Sequence, residues 1–320
     1  MYHSDLFNEV LVRPAAEKGA DRLLILSGYA TAGMLSRHKS TLRERELDVA
    51  IELIVGMTPR DGISLTDHEG FRAFLDADFS CRYVVTGYAV HSKLYIWLKG
   101  RVPCIAYAGS ANYTQTAFFE QRELVANVDP SAALDYFYAV EKDSRPLTHE
   151  DIQSFVQIHG KASDSRLETE ARARVFSKEV LKKLESATVS LLASNGTMHK
   201  RSGLNWGQRP ELKRNPDQAY IPVNSPLRNT DFFPERGVHF TAYTDDGHVL
   251  VLSRAQDGGK AIHTPWDNSH LGQYFRRRLG VPSGEPVLRE HLERYGRTDV
   301  TFYKLDKETY YMDFSVPKSS

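Results

Sequence analysis

A basic pair interrupts an apolar stretch near residue 90, in the sequence GYAVHSKLYIWLKG. His91 and Lys93 are two positions apart, and the residues around them alternate as in a β-strand, where such positions face the same side. We therefore expect both basic groups to point to one side of a sheet. On its own the triplet is expected by chance in a chain with this many His and Lys, and a pair at an exposed strand edge would explain it equally well.

Further polar groups follow in the next two strand-like segments. The sequence AGSANYT places Ser110 and Asn112 at the end of a strand, and the strand in QRELVANV carries Glu123. If the three segments are neighbours, a nucleophile or base, a cation, neutral donors and a carboxylate come together. The set suits phosphoryl transfer, since a neutral imidazole can attack phosphorus while Lys and amide donors hold the phosphate oxygens.

The remaining carboxylate has a role in the same chemistry. A carboxylate on the second nitrogen of an imidazole fixes its tautomer and stabilises the imidazolium that forms. No cluster of carboxylates follows the pattern that magnesium needs, and no Cys/His group has the spacing of a zinc site. We therefore predict no metal site and no cofactor, with Lys93 supplying the positive charge.

The elements that must position these residues alternate between strand and helix. LLILSGYA and DVAIELIVGM read as buried strands, TAGMLSRHKSTLRERE reads as a helix, and Asp129 followed by Pro130 is typical of a helix start. His38, His68, His159 and His291 fall on polar helical faces and are predicted to be at the surface. This part of the chain is predicted to be an α/β domain, with a sheet covered by helices on both faces.

The second half is rich in strands. Hairpin signals surround residues 245–247 and 306–307, and two amphipathic helices end at Gly280 and Gly296. Strands closed by short helices indicate a small open barrel. A polar stretch separates the halves, and we predict domains at 1–175 and 176–320.

The most unusual polar stretch is RSGLNWGQRPELKRNPDQAYIPV, from Arg201 to Val223. Arg and Lys suit phosphates and guanine edges, and Asn and Gln suit adenine. A solvated surface loop is the alternative interpretation. The candidate DNA-binding residues in this stretch are Trp206, Gln208, Arg209, Lys213 and Arg214.

Composition limits the class of protein. The 320 residues have a formal net charge of zero, which argues against an indiscriminate polyanion binder, although the first half is mildly acidic and the second mildly basic. The two cysteines, Cys81 and Cys104, are predicted to be reduced core residues. No signal peptide is recognisable and no apolar run is long enough to span a bilayer, so a cytoplasmic protein is expected.

The motifs HSK, GSAN and the later Glu resemble the phospholipase D superfamily. Gly109 follows Lys93 by sixteen positions, and Glu123 follows Asn112 by eleven. The lipid-hydrolysing members carry an Asp where this chain has Leu98, so the sequence is more similar to the nuclease branch. The resemblance implies that His91 is the nucleophile, that Lys93, Ser110 and Asn112 bind phosphate, and that Glu123 orients His91.

The second half resembles the C-terminal part of the NgoFVII-type restriction endonucleases, which join such a nuclease to a plant B-three-like pseudobarrel. The resemblance is carried by GLNWGQR, QAYIPV, GKAIHTPWDNSHLGQYFRRRLG, YGRTDVTFYKL and YYMDFS. It implies two arms that grip the major groove. By position, the first arm spans roughly Trp206 to Lys213, and the second lies near His263 to Asn268. His263 and Asn268 are candidate DNA-binding residues. The triplet Arg276–Arg278 is a further candidate for phosphates.

Members of the superfamily use two such motifs, and this chain has one. The resemblance therefore implies a homodimer, formed through the nuclease domain, with one shared active site. The expected function is that of a sequence-specific endonuclease on double-stranded DNA, acting without metal through a phosphohistidine. An ATP-dependent helicase-like subunit is a candidate partner. The alternatives are a non-specific nuclease, a phosphatidyl-transfer enzyme, and a catalytically inert DNA-binding protein.

Overall fold

The computed structural model describes residues 1–159 and 178–316. The chain divides into two compact units, Met1–Arg172 and Ala173–Ser320. The predicted boundary between residues 175 and 176 lies outside the described residues. Among those residues, no helix combines the length and the apolar character that crossing a bilayer requires.

The first unit is built on a seven-stranded mixed sheet, in the order β7-β6-β5-β1-β2-β4-β8. The strands β1, β2 and β4 are parallel, and all other neighbours are antiparallel. A separate two-stranded sheet pairs β3 with β9. The strands are β1 (Arg22–Ser27), β2 (Ala50–Val55), β3 (Ile63–Ser64), β4 (Phe79–Val84), β5 (Leu94–Lys99), β6 (Val102–Gly109), β7 (Val125–Val128), β8 (Ser144–Pro146) and β9 (Ile158–His159).

Within residues 1–159, seven helices accompany these strands. Their bounds are α1 (Leu6–Leu11), α2 (Arg13–Lys18), α3 (Ala32–Glu44), α4 (Thr58–Asp61), α5 (Leu65–Ala73), α6 (Pro130–Lys142) and α7 (Ile152–Phe155), with one π-helical turn at Thr116–Glu120. The start of α6 is as predicted, because the Asp129 carboxylate accepts the amide N–H of Ala132 at 2.7 Å and Pro130 occupies the first turn. Apolar residues of α6 cover β1, β5 and β6, which confirms the α/β prediction.

Two histidines that were predicted to lie at the surface are core residues. His38 is completely buried on α3, where it hydrogen-bonds the hydroxyl of Tyr113 at 2.9 Å and the carbonyl oxygen of Leu11 at 2.7 Å. His68 is buried on α5 and contacts the hydroxyl of Tyr83 at 3.0 Å. The prediction was wrong because these polar rings find partners across the core, which a single helix pattern does not reveal.

The second unit is a seven-stranded sheet in the order β10-β15-β16-β12-β13-β14-β11. Its first and last strands, β10 and β11, approach each other, so the sheet is nearly closed. This confirms the predicted barrel-like architecture. The strands are β10 (Ser186–Ser190), β11 (Ile221–Pro222), β12 (His239–Thr244), β13 (Val249–Ala255), β14 (Ala261–His263), β15 (Asp299–Lys304) and β16 (Thr309–Asp313).

The part of this unit that the structure describes, residues 178–316, also has four helices and three 3₁₀ turns. The helices are α8 (Lys178–Leu181), α9 (Ser225–Arg228), α10 (Asn268–Leu279) and α11 (Arg289–Tyr295), and the 3₁₀ turns are Gly203–Asn205, Pro210–Leu212 and Asp257–Gly259. Both predicted glycine stops are present, since Gly280 and Gly296 end α10 and α11 in the left-handed conformation. Leu271 and Phe275 of α10 join Leu292 of α11 in the apolar interior of the barrel.

Candidate active site and DNA-contacting loops

The strand ends that carry the candidate catalytic residues meet at one edge of the first sheet. Leu94, at the start of β5, pairs with Leu26 near the end of β1 and with Ala108 near the end of β6. Gly109 of β6 pairs in turn with Val125, the first residue of β7. Antiparallel pairing therefore brings the segment before β5, the segment after β6 and the segment before β7 side by side.

His91 and Lys93 lie in the segment that enters β5, and not in a strand as the alternation predicts. The strand begins at Leu94, one residue after the motif. The segment is fixed to the end of β2, because the amide N–H of Val90 donates to the carbonyl oxygen of Gly56 at 2.9 Å. A Cβ atom on Gly56 would lie 2.1 Å from the carbonyl oxygen of Val90, so only glycine permits this approach.

Asn112 and His91 come together across Gly28, which follows β1. A Cβ atom on Gly28 would lie 2.9 Å from Cδ2 of His91 and 3.3 Å from Oδ1 of Asn112. The Asn112 oxygen accepts the backbone N–H of Tyr29 at 3.2 Å and contacts the hydroxyl of Ser27 at 3.5 Å. These contacts fix the orientation of the Asn112 amide, whose Nδ2 is the donor end.

The ammonium of Lys93 folds back on the segment that precedes β5. Its Nζ donates to the carbonyl oxygen of His91 at 2.7 Å, and the side chain is 7% exposed. Burial lowers the pKa of Lys93, and the nearby Glu123 carboxylate opposes this by attraction. A cation that has already lost most of its water can bind a phosphate oxygen with little further cost of desolvation.

Ser110 and Glu123 form a hydrogen-bonded pair. The Ser110 hydroxyl donates to the Glu123 carboxylate and also accepts the backbone N–H of Leu124 at 3.1 Å. Glu123 precedes β7 instead of lying within it, because that strand begins at Val125. The role of Glu123 in orienting His91 stays a prediction, since the hydrogen bond that the structure shows for its carboxylate is with Ser110.

The predicted first arm of the barrel contains a stacked pair. The guanidinium carbon of Arg214 lies 4.0 Å from the ring centroid of Trp206, and Tyr220 meets the same ring edge-on at 5.9 Å. Lys213 is exposed and left-handed, with φ 51°, at the end of the 3₁₀ turn Pro210–Leu212. Basic and aromatic groups are thus available together on this loop.

Two other predicted residues of this arm are hydrogen-bonded within it or to the barrel. The amide nitrogen of Gln208 donates to the carbonyl oxygens of Pro216 and Gly284, at 3.1 and 2.9 Å. Arg209 donates through Nε to the carbonyl oxygen of Arg201 at 3.0 Å. These bonds shape the loop, and base reading by Gln208 and Arg209 stays a prediction.

His263 and Asn268 lie close together at the second predicted arm. His263 ends β14 and Asn268 begins α10, and a hydrogen bond between their side chains opposes the effect of burial, which lowers the pKa of His263. The loop between them is short and is anchored where the hydroxyl of Thr264 donates to the carbonyl oxygen of Asp267 at 2.5 Å. A DNA contact here also stays a prediction.

Comparison with family models covers both units. Residues 4–154 match the NgoFVII restriction endonuclease N-terminal PLD domain, and residues 179–306 match the NgoFVII C-terminal B3-like DNA-binding domain. The two matches occur in the predicted order and leave only short segments uncovered.

The chain belongs to the NgoFVII restriction endonuclease family.

Three solved structures similar to this NgoFVII-family chain each align with less than half of it. Nuc, a phospholipase D family member from Salmonella typhimurium, is 17% identical, covers 43% of this chain and 89% of its own, and gives a TM-score of 0.33. NucT from Helicobacter pylori is 15% identical over 45% of this chain and 96% of its own, with a TM-score of 0.32.

A polyphosphate kinase from Porphyromonas gingivalis is 14% identical over 43% of this chain, with a TM-score of 0.30, and the match spans only 21% of the kinase chain. No curated protein sequence matches the chain.

The predicted phosphate-binding role of Arg276 is wrong in this member of the NgoFVII family. Arg276 is 1% exposed, and its Nε lies 3.2 Å from the carboxylate of Asp217 and 2.8 Å from the carbonyl oxygen of Glu285. Arg278 pairs with Asp245 at 2.7 Å and is mostly buried. Arg277, which is half-exposed and 3.5 Å from Asp246, is the member of the triplet nearest to solvent.

Some features of the site were missed from the sequence. Tyr29 lies beside His91, and its only sequence signal is that it follows the strand that ends before Gly28. Two features of the barrel were also missed. Gln256, between β13 and β14, has a positive φ of 63°. In the described part of the chain, the buried Nε of Arg228 has no hydrogen-bond partner. The exposed Cys104 also differs from the predicted core position, whereas Cys81 is buried.

Within residues 1–159 and 178–316, no three His, Cys, Asp or Glu side chains are grouped so that they could hold a metal ion.

Proposed function

We propose that this chain is a sequence-specific restriction endonuclease that hydrolyses phosphodiesters of double-stranded DNA through a phosphohistidine. The observation that carries the proposal is the meeting of His91, Asn112, Lys93, Ser110 and Glu123 at one sheet edge, in a chain whose second unit is a B3-like DNA-binding domain. His91 is exposed and Lys93 is buried beside it, which supports a nucleophile next to a phosphate-binding cation.

In the proposed reaction an imidazole nitrogen of His91 attacks phosphorus, and the bond from phosphorus to the leaving oxygen breaks. A second copy of His91, from the partner in a homodimer, gives its proton to that oxygen. Water then cleaves the phosphorus–nitrogen bond and returns a proton to the second imidazole. Lys93 and Asn112 stabilise the charge that develops on the remaining phosphate oxygens.

Specificity in this proposal comes from the barrel. The stacked Trp206 and Arg214, with the exposed Lys213, form a basic and aromatic surface of the kind that binds phosphates and base edges. A single shared active site cuts the two strands of the duplex one after the other. An ATP-dependent helicase-like subunit is a proposed partner from family resemblance alone.

The deciding experiment is cleavage of a library of duplexes by the purified full chain in EDTA. We expect cuts at a defined sequence in EDTA with the wild type and none with His91→Ala, while both bind the same duplexes in a mobility-shift assay. His149→Ala, at a histidine that contacts Phe155 outside the site, is the matched control and should cut normally.

Three results would contradict the proposal. Cleavage that chelation removes and magnesium restores, without ATP or a partner, would mean that the reaction needs a metal. Cuts at no defined sequence would favour a non-specific nuclease. Specific binding without cleavage under any condition, by a wild type that is folded, would favour an inert DNA-binding protein.

A further inference from the structure

Tyr29 lies against the proposed nucleophile. The centroid of its ring is 5.9 Å from that of the His91 imidazole, and the two planes meet at 79°, which is an edge-to-face contact. The Tyr29 side chain is 40% exposed, so burial of apolar surface is a weak reason for its position. The contact is with a residue of the site itself and not with the core of the sheet.

Hydrogen bonds fix Tyr29 at both its backbone and its hydroxyl. Its N–H donates to Oδ1 of Asn112 at 3.2 Å, and its carbonyl oxygen accepts the hydroxyl of Ser27 at 2.6 Å. Its own hydroxyl donates to the carboxylate of Asp61 at 2.5 Å. The hydrogen bond to Asp61 raises the pKa of Tyr29, so the phenol stays protonated as a donor.

Asp61 is in turn held in place by the small second sheet. It ends α4, and its carbonyl oxygen is hydrogen-bonded to the imidazole of His159 at the end of β9. Gly62, at φ 66°, then turns the chain into β3. The carboxylate that receives the Tyr29 hydroxyl is therefore part of a fixed loop, so the tether can hold the ring of Tyr29 in one position.

A nucleophilic imidazole must present one nitrogen along the line of attack, and rotation about its side-chain bonds would spoil that alignment. Two neighbours define where the ring of His91 lies. The ring approaches Gly28 so closely that a side chain there would take its space, and Tyr29 contacts the ring edge-on, which limits its rotation.

We propose that Tyr29 is a positioning residue for His91, and that Asp61 fixes Tyr29 in that position. The inference rests on the proposed function, because it assigns the geometry of the residue that attacks phosphorus. Neither Tyr29 nor Asp61 carries a proton to or from the substrate.

The test compares Tyr29→Ala, Tyr29→Phe and Asp61→Asn in single-turnover and steady-state cleavage of one cognate duplex. We expect Tyr29→Ala to lower kcat about 10- to 100-fold, the scale set by small misplacements of reacting groups, with KM within about twofold. Tyr29→Phe keeps the ring and should restore most of the rate. Its remaining loss, and that of Asp61→Asn, should be about two- to tenfold, as for one hydrogen bond.

A spectroscopic measurement separates positioning from mere stability. The imidazole protons of His91, assigned in NMR spectra by their absence in His91→Ala, should shift in Tyr29→Ala because the ring current of Tyr29 is gone, and should stay near their wild-type positions in Tyr29→Phe. Tyr138→Ala removes a tyrosine of similar exposure, 41%, from α6 and serves as the control.

The outcomes separate the two proposals. Unchanged kcat in Tyr29→Ala, or a fall in active fraction that matches a loss of folded protein with unshifted His91 signals, would overturn the positioning role while the nucleophile stands. If His91→Ala cuts as fast as the wild type, the proposed function itself fails, whatever Tyr29→Ala does.

Discussion

The imidazole of His91 lies so close to Gly28 that a single added methyl group would collide with it, at 2.9 Å from Cδ2. The same methyl group would approach Oδ1 of Asn112 at 3.3 Å. Glycine is therefore required at this position by the space that two site residues occupy. No unusual backbone conformation is involved, because Gly28 is not among the residues with positive φ.

Replacing Gly28 with Ala should lower the rate of cleavage without removing DNA binding. The added methyl group displaces His91 or Asn112 by a few tenths of an ångström or more, and we expect kcat to fall about 10- to 100-fold. Cleavage and mobility-shift assays on the same duplex measure the two effects.

A matched control is Gly70→Ala on α5, whose added methyl group would lie 2.4 Å from Cβ of Ala32. This variant has a steric conflict in the same unit but not at His91. It should lower the melting temperature while folded molecules keep the wild-type kcat. Equal effects of both substitutions on kcat would argue against a specific role for the space at Gly28.

If two chains share one active site, as proposed, activity depends on pairs of chains. We expect the full chain to sediment as a dimer. When wild type is mixed in equal amounts with His91→Ala and allowed to exchange, active dimers should fall to about one quarter, as for random pairing in a symmetric dimer with one site. A fall to about one half, or cleavage by a sedimenting monomer, would show that each chain cuts alone.

Lys213 should contribute to affinity through phosphate rather than through sequence. It is exposed at the tip of the first arm, and one lost phosphate contact reduces the slope of log affinity against log salt by about 0.9. For Lys213→Ala we expect this change with cognate and unrelated duplexes alike. Lys182→Ala, at an exposed lysine near α8, should leave the slope unchanged. A loss confined to the cognate duplex would instead assign base reading to Lys213.

His38 should make the first unit less stable in mild acid. Burial lowers the pKa of His38 to about 4, below its ordinary value of 6.5. Its neutral form donates from Nε2 to the carbonyl of Leu11 and accepts the Tyr113 hydroxyl at Nδ1. Between about pH 6.5 and pH 4 the unfolded chain binds a proton that the folded chain does not. The free energy of unfolding is therefore about 2 kcal/mol lower at pH 5 than at neutral pH.

Native-state hydrogen exchange at the amides of α3, measured at pH 5 and pH 7, tests this expectation. In His38→Gln the free energy of opening should be lower at both pH values but should lose about 2 kcal/mol of its dependence on pH. His149→Gln is the control for a histidine outside the core. An unchanged pH dependence in His38→Gln would show that other groups cause the acid sensitivity.

The residue types of the candidate catalytic set and their place near strand ends could be predicted from the sequence, because strand alternation and turn residues are local signals. The contacts around His91 could not. Gly28, Gly56 and Tyr29 lie far from His91 along the chain, and only the pairing of β1, β2 and β5 brings them to it.

The exact ends of the strands were also beyond the pattern. The apolar run suggested that β5 includes His91, whereas the backbone of that segment is pinned to Gly56 and the strand begins at Leu94. In the same way, the run of three arginines on α10 was a candidate for phosphate contacts, although Arg276 is buried and hydrogen-bonds main-chain oxygens near Asp217. Long-range partners decided both cases.

The internal hydrogen bonds of Gln208 and Arg276 have a consequence for how such a protein can diversify. Gln208 ties the first arm to Gly284, and Arg276 holds the segment that follows the arm at Pro216 and Asp217. Their replacement would deform the arm for every DNA sequence at once. Relatives that read a new target sequence should therefore differ at the few exposed positions of the arm, such as Lys213. Substitutions of Gln208 or Arg276 would disrupt the arm before they could change which bases are read.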